Sequence, residues 1–299
     1  MDTATEASQA RLAGLATDAT ASGAAAEAMP GLSHSHPAQL AAHPVYLVNP
    51  SLWRALGIAV ALLLWQVLTW TQALGAQFGP AFAPTSALGA LFEMMARGEL
   101  LRHLLPSLQR VTVGLLVAGA IGVPVGVLVG YFRRLEWATT PVFQFVRMVS
   151  PLAWMPIAII AFGVGDRAIY FLIAATAVWP IVINTAHGVT SLQPIWLKVA
   201  RNLGAGEWLI LRWIVVPAVL GEILTGLRVA VGISWVVLVP AEMLGVSSGL
   251  GYFVLDTRDR FRYDELMAVV LVIGFTGFGL DWLIRTLKGR FAWRDAILV

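Results

Sequence analysis

The chain has 299 residues, of which 58% are hydrophobic and only 12% charged, with a formal net charge of +3. Soluble domains carry about 25% charged residues, so this composition excludes an ordinary soluble domain, and the lack of a Lys/Arg cluster excludes a nucleic-acid-binding stripe. The sequence has no cysteine, which removes disulfides, thiolate metal sites and cysteine nucleophiles.

The N-terminal segment 1–48 differs from the rest because it is rich in Ala, Ser, Thr and Gly. It lacks the basic start and the roughly 7–15-residue apolar run of a signal peptide, and its composition predicts a disordered cytoplasmic tail. His34, His36 and His43 are the only clustered metal-ligand types there. No carboxylate or cysteine stands beside them, so no metal site is predicted.

Residues 49–299 are predicted to form an all-α integral membrane domain of about six transmembrane helices. A helix needs about 20 apolar residues to cross roughly 30 Å of hydrocarbon. Stretches of this kind lie at 53–74, 108–131, 142–162, 168–189, 216–238 and 266–287. The third contains Arg147, Pro151 and Pro156, which a membrane helix tolerates where protein or cavity water satisfies the freed backbone groups.

Both termini are predicted to be cytoplasmic. With six spans they share one side, and this orientation leaves more Lys and Arg in the inner segments than in the outer loops. In the second span, Gly122, Gly126 and Gly130 recur at every fourth position. That spacing puts them on one helix face and predicts close packing against another helix.

The segment at about 190–215 is too long for a simple connection, since about 2–8 residues suffice to join neighbouring helices. Its composition is mostly helix-permissive, with Gly204 inside it. We therefore predict a helix–turn–helix lying flat on the membrane, with Gly204 at the bend because glycine adopts conformations closed to other residues.

Several motifs in this chain occur in a characteristic order. The stretch Lys198-Val-Ala-Arg-Asn-Leu-Gly204, followed by Ile214-Val-Val-Pro217, resembles the "EAA…G…I.LP" coupling motif of ABC importer permeases. Further segments resemble the nitrate/sulfonate/taurine branch of that family, which comprises binding-protein-dependent inner-membrane components: 107–114, 150–156, 162–163, 225–228 and 241–252. The resemblance covers about residues 52–294.

The resemblance implies a type I (MetI-like) architecture in a bacterial inner membrane, with two permease subunits, here a homodimer, forming one pathway. Cytoplasmic ABC ATPase subunits would grip the coupling helices, and an external binding protein would deliver a small anion such as nitrate, sulfonate or taurine. This chain has no G-x-x-x-x-G-K-[ST] loop. ATP and magnesium are therefore assigned to the partner, with no cofactor in this chain.

The residues carried over for coupling to the ATPase are those of the motif and its immediate neighbours: Lys198, Ala200, Arg201, Gly204, Ala205, Ile214 and Pro217. One departure stands out, because the family's leading Glu-Ala is Lys198-Val199 here. The initial carboxylate is thus absent, while the helix–glycine–helix geometry is expected to remain.

Five charged residues, Arg147, Glu222, Arg228, Glu242 and Asp281, lie in or near the predicted spans. Each would cost about 2.5–3.5 kcal/mol at the bilayer centre, so they should face protein, water or the interface. Arg147 and Arg228 are the candidates for binding an anion, because the guanidinium fork suits flat oxyanions. For Arg228, a structural ion pair with Glu222 or Glu242 is the favoured alternative.

Three further groups have a structural and a functional interpretation. Asp281 and Arg285, four residues apart, should pair on one helix face. Asn184 and His187 lie on one side of the fourth span, as interhelical hydrogen-bonding groups or, with Glu242, as pathway residues. The charged segment 256–265, including Arg258, Asp259 and Arg260, is either a self-paired solvated loop or a docking surface for the binding protein.

Two other functions are compatible with parts of the sequence. Gly245-Val-Ser-Ser-Gly249 matches the G-x-S-x-G pattern of hydrolases, which would make Ser247 a nucleophile with His187 as its base. An ATP-independent channel or carrier is the other alternative, although it would have no use for the long coupling segment.

Overall fold

The computed structural model describes residues 50–71 and 79–291. The predicted tail 1–48, with His34, His36 and His43, lies outside the described residues, as does the end of the first predicted span. The chain divides into two compact units, 1–59 and 60–299. Of the first unit, the described residues 50–59 form the beginning of a helix.

The described residues form helices and no strand. In chain order the helices are α1 Pro50–Trp70, α2 Pro84–Ala96, α3 Glu99–Tyr131, α4 Arg133–Met148, α5 Met155–Phe162, α6 Asp166–Thr190, α7 Pro194–Asn202, α8 Glu207–Ile210, α9 Val216–Ala218, α10 Leu220–Gly245, α11 Leu250–Asp259 and α12 Tyr263–Phe291. Short 3₁₀ turns occupy Pro80–Phe82 and Pro151–Trp154, and a π-helical turn occupies Leu211–Val215.

Helices long and apolar enough to cross a membrane agree with five of the six predicted spans. They cover Leu52–Trp70, Glu99–Tyr131, Asp166–Thr190, Leu220–Gly245 and Tyr263–Gly289. The fifth predicted span therefore begins four residues later than expected and continues to Gly245, because the preceding residues belong to the π turn and α9.

The prediction of one continuous helix over 142–162 is wrong. Helix α4 ends at Met148, and the segment that follows bends away by 88°. Val149 is extended, and Ser150 precedes a proline, whose ring disfavours helical conformation in the residue before it. Counted as one broken span, α4 and the 3₁₀–α5 segment bring the total to six.

The centre of the bundle is the pair α3 and α6. A Cβ atom built on Gly126 would lie 2.6 Å from Thr185 Cβ, and one on Gly130 would lie 2.6 Å from Ala186 O. Gly122 meets Ile181 in the same way. The prediction that these glycines allow close helix packing is confirmed, and the two backbones run in direct contact.

Helix α10 packs on the other side of α6 and also on α12. A Cβ on Gly226 would lie 2.9 Å from Pro180 O on α6. On the α12 side, the indole Nε1 of Trp235 donates to Ile273 O at 3.1 Å and occupies the space left by Gly277. One face of α10 therefore packs on α6 and another on α12, so neighbouring residues of α10 contact different helices.

Candidate functional site

The bend after α7 is fixed by a glycine. Gly204 has φ +80°, its N–H donates to Arg201 O, and the N–H of Ala205 donates to Ala200 O, both at 3.0 Å. These two bonds define a Schellman motif, which closes a helix end with a left-handed residue. Gly204 thus occupies the bend where the sequence predicted it.

We call helix α7, the bend at Gly204 and helix α8 the elbow, residues 194–210. Beneath this elbow lies a small apolar core. Ala200 is buried and packs with Ile210, Val215 and Val219 and with partly buried Ile214. The π turn precedes Pro217, which lacks the N–H that a regular helix would require. The elbow is therefore anchored to the ends of the membrane helices α3 and α6, through Val127 and Val189.

Helix α7 points a different face outward. Its exposed apolar side chains are Ile195, Trp196, Val199 and the adjoining Leu203, which is 82% exposed. Lys198 is also exposed and makes no ion pair within the described parts of the chain. An exposed apolar surface of this kind marks an interaction site.

A hydrogen-bonded triad that the sequence did not reveal, Arg201, Glu207 and Tyr131, joins the elbow to α3, and we call it the elbow tie. Arg201 Nε donates to Glu207 Oε1 at 3.1 Å and its Nη2 donates to the hydroxyl of Tyr131 at 2.8 Å. The Tyr131 hydroxyl in turn donates to Glu207. The hydrogen bonds from Tyr131 and then Arg201 lower the pKa of Glu207 below its ordinary value, so the carboxylate is charged at neutral pH.

Arg147, at the end of α4 where the chain bends, lines two neighbouring cavities. One, of about 480 Å³, also presents Asn184, Thr176 and Trp179. The other, of about 250 Å³, presents His187 and Glu136. The exposed guanidinium makes no ion pair or hydrogen bond with any of residues 50–71 and 79–291. The structure thus places Arg147 between two neighbouring cavities, one lined by Asn184 and the other by His187.

Arg228 lies elsewhere. Its Nε donates to Asp281 Oδ1 on α12 at 2.7 Å, and Arg285 Nη2 donates to Asp281 Oδ2 at 2.6 Å. The pairing of Asp281 with Arg285 is confirmed. The predicted pairing of Arg228 with Glu222 or Glu242 is wrong, since Arg228 lies on the face of α10 that packs against α12.

Glu242 is also absent from the Arg147 cavities, because it is fully buried in a separate cluster. Arg110 Nη1 donates to Glu242 Oε1 at 2.6 Å, and Ser107 Oγ and the N–H of Gly251 donate to the same carboxylate. Arg110 also donates to Asp166 at the start of α6. The cluster therefore joins three helices and the loop before α11.

The segment 241–252, which carried part of the family resemblance, supplies several groups of this cluster. Arg110 donates to Ser248 O at 2.7 Å and to Ser248 Oγ at 2.9 Å. Gly249, at φ +110°, leaves no room for a side chain against Glu242 and Arg110. The apolar context of Arg110 at the start of a span was the signal that could have identified it as a buried ion-pair partner.

The hydrolase alternative is wrong. Ser247 is an exposed residue next to Ser248, and Ser248 shares Arg110 with Asp166. Asp166 and His187 stand 21 residues apart on α6, which corresponds to roughly 30 Å along a helix. His187 therefore cannot serve Ser247 as a base.

The charged segment 256–265 pairs largely with itself and with α2. Arg258 binds Asp259 at 2.8 Å, Arg260 binds Asp256, and Arg97 binds the buried Glu265 at 2.9 Å. The hydrogen bond to Glu265 raises the pKa of Arg97. Arg258, Asp259 and Arg260 are each more than half exposed, so they remain available for docking.

Comparisons with known proteins agree with this geometry. Residues 122–292 match the family described as "Binding-protein-dependent transport system inner membrane component". The bicarbonate transport system permease protein CmpB of Synechococcus elongatus is 38% identical over 241 residues, covering 78% of this chain and 86% of that protein. The nitrate import permease protein NrtB of Leptolyngbya laminosa is 33% identical, covering 81% and 88%.

The taurine transport system permease protein TauC of Escherichia coli is 31% identical over 238 residues, covering 78% of this chain and 86% of that protein. Among solved structures, a chain of the inward-facing MetNI methionine ABC transporter superposes with a TM-score of 0.54 at 18% identity, covering 66% of this chain and 95% of that one. This likeness supports the type I importer fold.

The fold and the elbow define the chain as a membrane-spanning transport subunit rather than an enzyme. The chain belongs to the family of binding-protein-dependent transport system inner membrane components, the permease subunits of ABC importers. In this family the ATPase is a separate subunit, so the ATP-independent channel or carrier alternative is also wrong.

Proposed function

We propose that this permease, paired with a second copy of itself, forms a pathway for a small oxyanion that an external binding protein delivers. Permeases similar to this chain carry the names of bicarbonate, nitrate, sulfonate and taurine systems. Bicarbonate, nitrate and the sulfonate group are flat or compact oxyanions, and the guanidinium fork suits them.

The observation that carries this proposal is the unpaired cation in the cavity. Arg147 forms no ion pair with a described residue, although charged residues in membrane domains usually pair with one another, and the acid that lines the smaller of its two cavities is Glu136. On the facing helix the amide of Asn184 donates one N–H to Pro180 O at 2.8 Å and keeps its second N–H for an anion. The larger cavity, with one cation, neutral polar groups and apolar walls, suits one small anion, and we place Arg147, Asn184 and His187 along the pathway.

Coupling to ATP hydrolysis is assigned to the elbow. The apolar outer face of α7 is the surface offered to a cytoplasmic ATPase, which binds ATP and magnesium, and Lys198 stands at its edge. The buried Ala200, the Schellman bonds at Gly204 and Ala205, and the packing of Ile214 before Pro217 support a rigid unit that transmits the partner's motion. Arg201 strengthens it through Glu207 and Tyr131.

This assignment places the coupling segment, about 190–215, in the cytoplasm. Both termini, including the tail 1–48, lie on that same side of a bacterial inner membrane, and the permease domain occupies 49–299. Arg258, Asp259 and Arg260 then face the external binding protein. Charge reversal at these three positions tests the docking role, which predicts weaker binding-protein stimulation of the ATPase at unchanged basal hydrolysis.

The test is uptake by the complete transporter in proteoliposomes, with ATPase and binding protein. Arg147→Gln should reduce anion uptake at least about ten-fold at normal assembly, and Arg147→Lys should retain part of it because the charge remains. Arg134→Gln, an exposed arginine near the other end of α4, is the control and should transport normally. Full uptake by Arg147→Gln would overturn the pathway role.

A further inference from the structure

One face of α12 carries a row of exposed aromatic side chains that ends in cations. Phe275, Phe278 and Trp282 are 67%, 70% and 59% exposed, and Arg285 is 62% exposed. Their spacing of three and four residues places all four on a single helix face. We call this face, Phe275–Phe278–Trp282–Arg285, the aromatic row.

At its end the aromatic row meets an excess of positive charge. Arg228 and Arg285 share one carboxylate, Asp281. Lys288 donates to the Thr225 hydroxyl at 2.7 Å and forms no ion pair with the residues that the structure describes. Three cations thus stand around one acid. The side chains of Arg228 and Arg285 are 40% and 62% exposed.

The length of the row matches one leaflet of a bilayer. Phe275 and Arg285 stand ten residues apart, which is roughly 15 Å along a helix and about half the roughly 30 Å thickness of the hydrocarbon core. Trp282, one turn before the cations, has the position that tryptophan prefers at the membrane interface. Apolar chains and an anionic group separated by that depth describe a phospholipid.

The cation end of the row lies at the elbow end of the bundle. Helix α10 begins directly after the coupling segment, and Thr225 and Arg228 lie in its first three turns. The cations of α12 that meet them are in the last turns of that helix. The group held here is therefore in the leaflet next to the ATPase-facing side.

We propose that the aromatic row and the cations Arg228, Arg285 and Lys288 form a binding site for one anionic phospholipid. The acyl chains lie along Phe275 and Phe278, and the headgroup phosphate accepts hydrogen bonds from Arg285 and Lys288. Basic pockets between membrane helices hold anionic headgroups in this manner. The site uses Arg228 of α10, whereas Val229 and Ile233 of the same helix line the larger Arg147 cavity, and the site does not depend on the transported solute.

Native mass spectrometry of the complete transporter tests this site directly. The complex is purified in mild detergent and supplied with equal amounts of phosphatidylglycerol and phosphatidylcholine. Wild type should retain phosphatidylglycerol in preference. Each cation near the surface strengthens the binding of an anionic lipid about five-fold. Removing two cations, in Arg285→Gln with Lys288→Gln, should therefore reduce the preference for phosphatidylglycerol about 25-fold. The Asp281 carboxylate keeps Arg228, so the fold is not challenged.

Matched variants separate the alternatives. Arg133→Gln with Arg134→Gln removes two exposed cations near the elbow end of α3 and should leave the preference unchanged, and Arg285→Lys should keep it. Phe275→Ala with Phe278→Ala should release both lipids. An unchanged preference for phosphatidylglycerol in the Arg285→Gln, Lys288→Gln variant, displacement of the lipid by millimolar inorganic phosphate, or loss of subunit pairing in the Phe variant would each overturn the proposal.

Discussion

Replacing Gly204 by valine should uncouple ATP hydrolysis from transport. Gly204 has φ +80°, and no atom lies within 4 Å of a Cβ built there. The cost is therefore backbone strain alone, at least about 1–2 kcal/mol for a residue with a Cβ and more for a β-branched one. The Schellman bonds to Ala200 and Arg201 are lost wherever the chain relaxes from this strain.

The strain in Gly204→Val increases the population of chains in which the elbow is open. A strain of about 1–2 kcal/mol shifts the equilibrium from the intact toward the opened elbow by about 5–30-fold. In the opened form Ala200 of α7 is no longer held against Ile210. The ATPase should then hydrolyse ATP with a reduced yield of transported solute. The measurement is the ratio of ATP hydrolysed to solute accumulated in proteoliposomes.

Gly206→Val is the matched control, because Gly206 has φ −70° and ψ 156°, which valine adopts freely, and its Cβ also meets open space. Gly204→Asn should restore part of the coupling, since asparagine tolerates the left-handed region. Equal coupling ratios in Gly204→Val and Gly206→Val would refute the reasoning, because they would show that the bend does not require glycine.

The remaining predictions concern the buried cluster, the helix pair and the elbow tie. Arg110→Met should destabilise the protein by about 3–5 kcal/mol, because Glu242 loses its cation while remaining buried, and thermal unfolding in detergent would reveal this. Gly126→Val should prevent assembly, since the new side chain meets the backbone of α6, whereas Gly119→Val on the same helix meets open space and should assemble normally, as gel filtration would show. Glu207→Gln should weaken coupling modestly. Because the pKa of Glu207 is lowered in the fold, the tie contributes fully above the ordinary carboxylate pKa and is lost only as the pH falls through the folded value, so the coupling ratio should be constant across neutral pH.

Outcomes that contradict these expectations are equally definite. An Arg110→Met variant with an unchanged unfolding temperature would show that the Glu242 carboxylate is not held by this ion pair. Identical gel-filtration profiles for Gly126→Val and Gly119→Val would show that α3 and α6 are not in backbone contact. A Glu207→Gln variant with an undiminished coupling ratio at neutral pH would limit the tie to a surface contact.

The membrane helices could be predicted from the sequence because hydrocarbon thickness sets their length and favours unbroken apolar runs. The same criterion failed at 142–162, where the apolar run continues but Ser150 and Pro151 break the helix. Gly204 could be located because a chemical requirement, a left-handed residue at a helix end, selects one residue type. Local rules of this kind are visible without the fold.

The electrostatic partners could not be predicted, because they are far apart in sequence. Arg110 and Glu242 are 132 residues apart, and Arg228 and Asp281 are 53 apart. Spacing identifies partners only within one helix, as with Asp281 and Arg285. Which face of α10 receives Arg228 depends on how three helices pack, and that information appears only in the folded chain.

The glycines on α3 have a mechanical consequence. Because Gly122, Gly126 and Gly130 put the α3 backbone against α6 with no side chain between, neither helix can slide or rotate along the other without a collision of main-chain atoms. The two helices therefore move as one rigid body. Any opening and closing of the pathway must therefore take its flexibility from outside this pair, and the 88° bend after Met148 is a break in the chain that lies outside it.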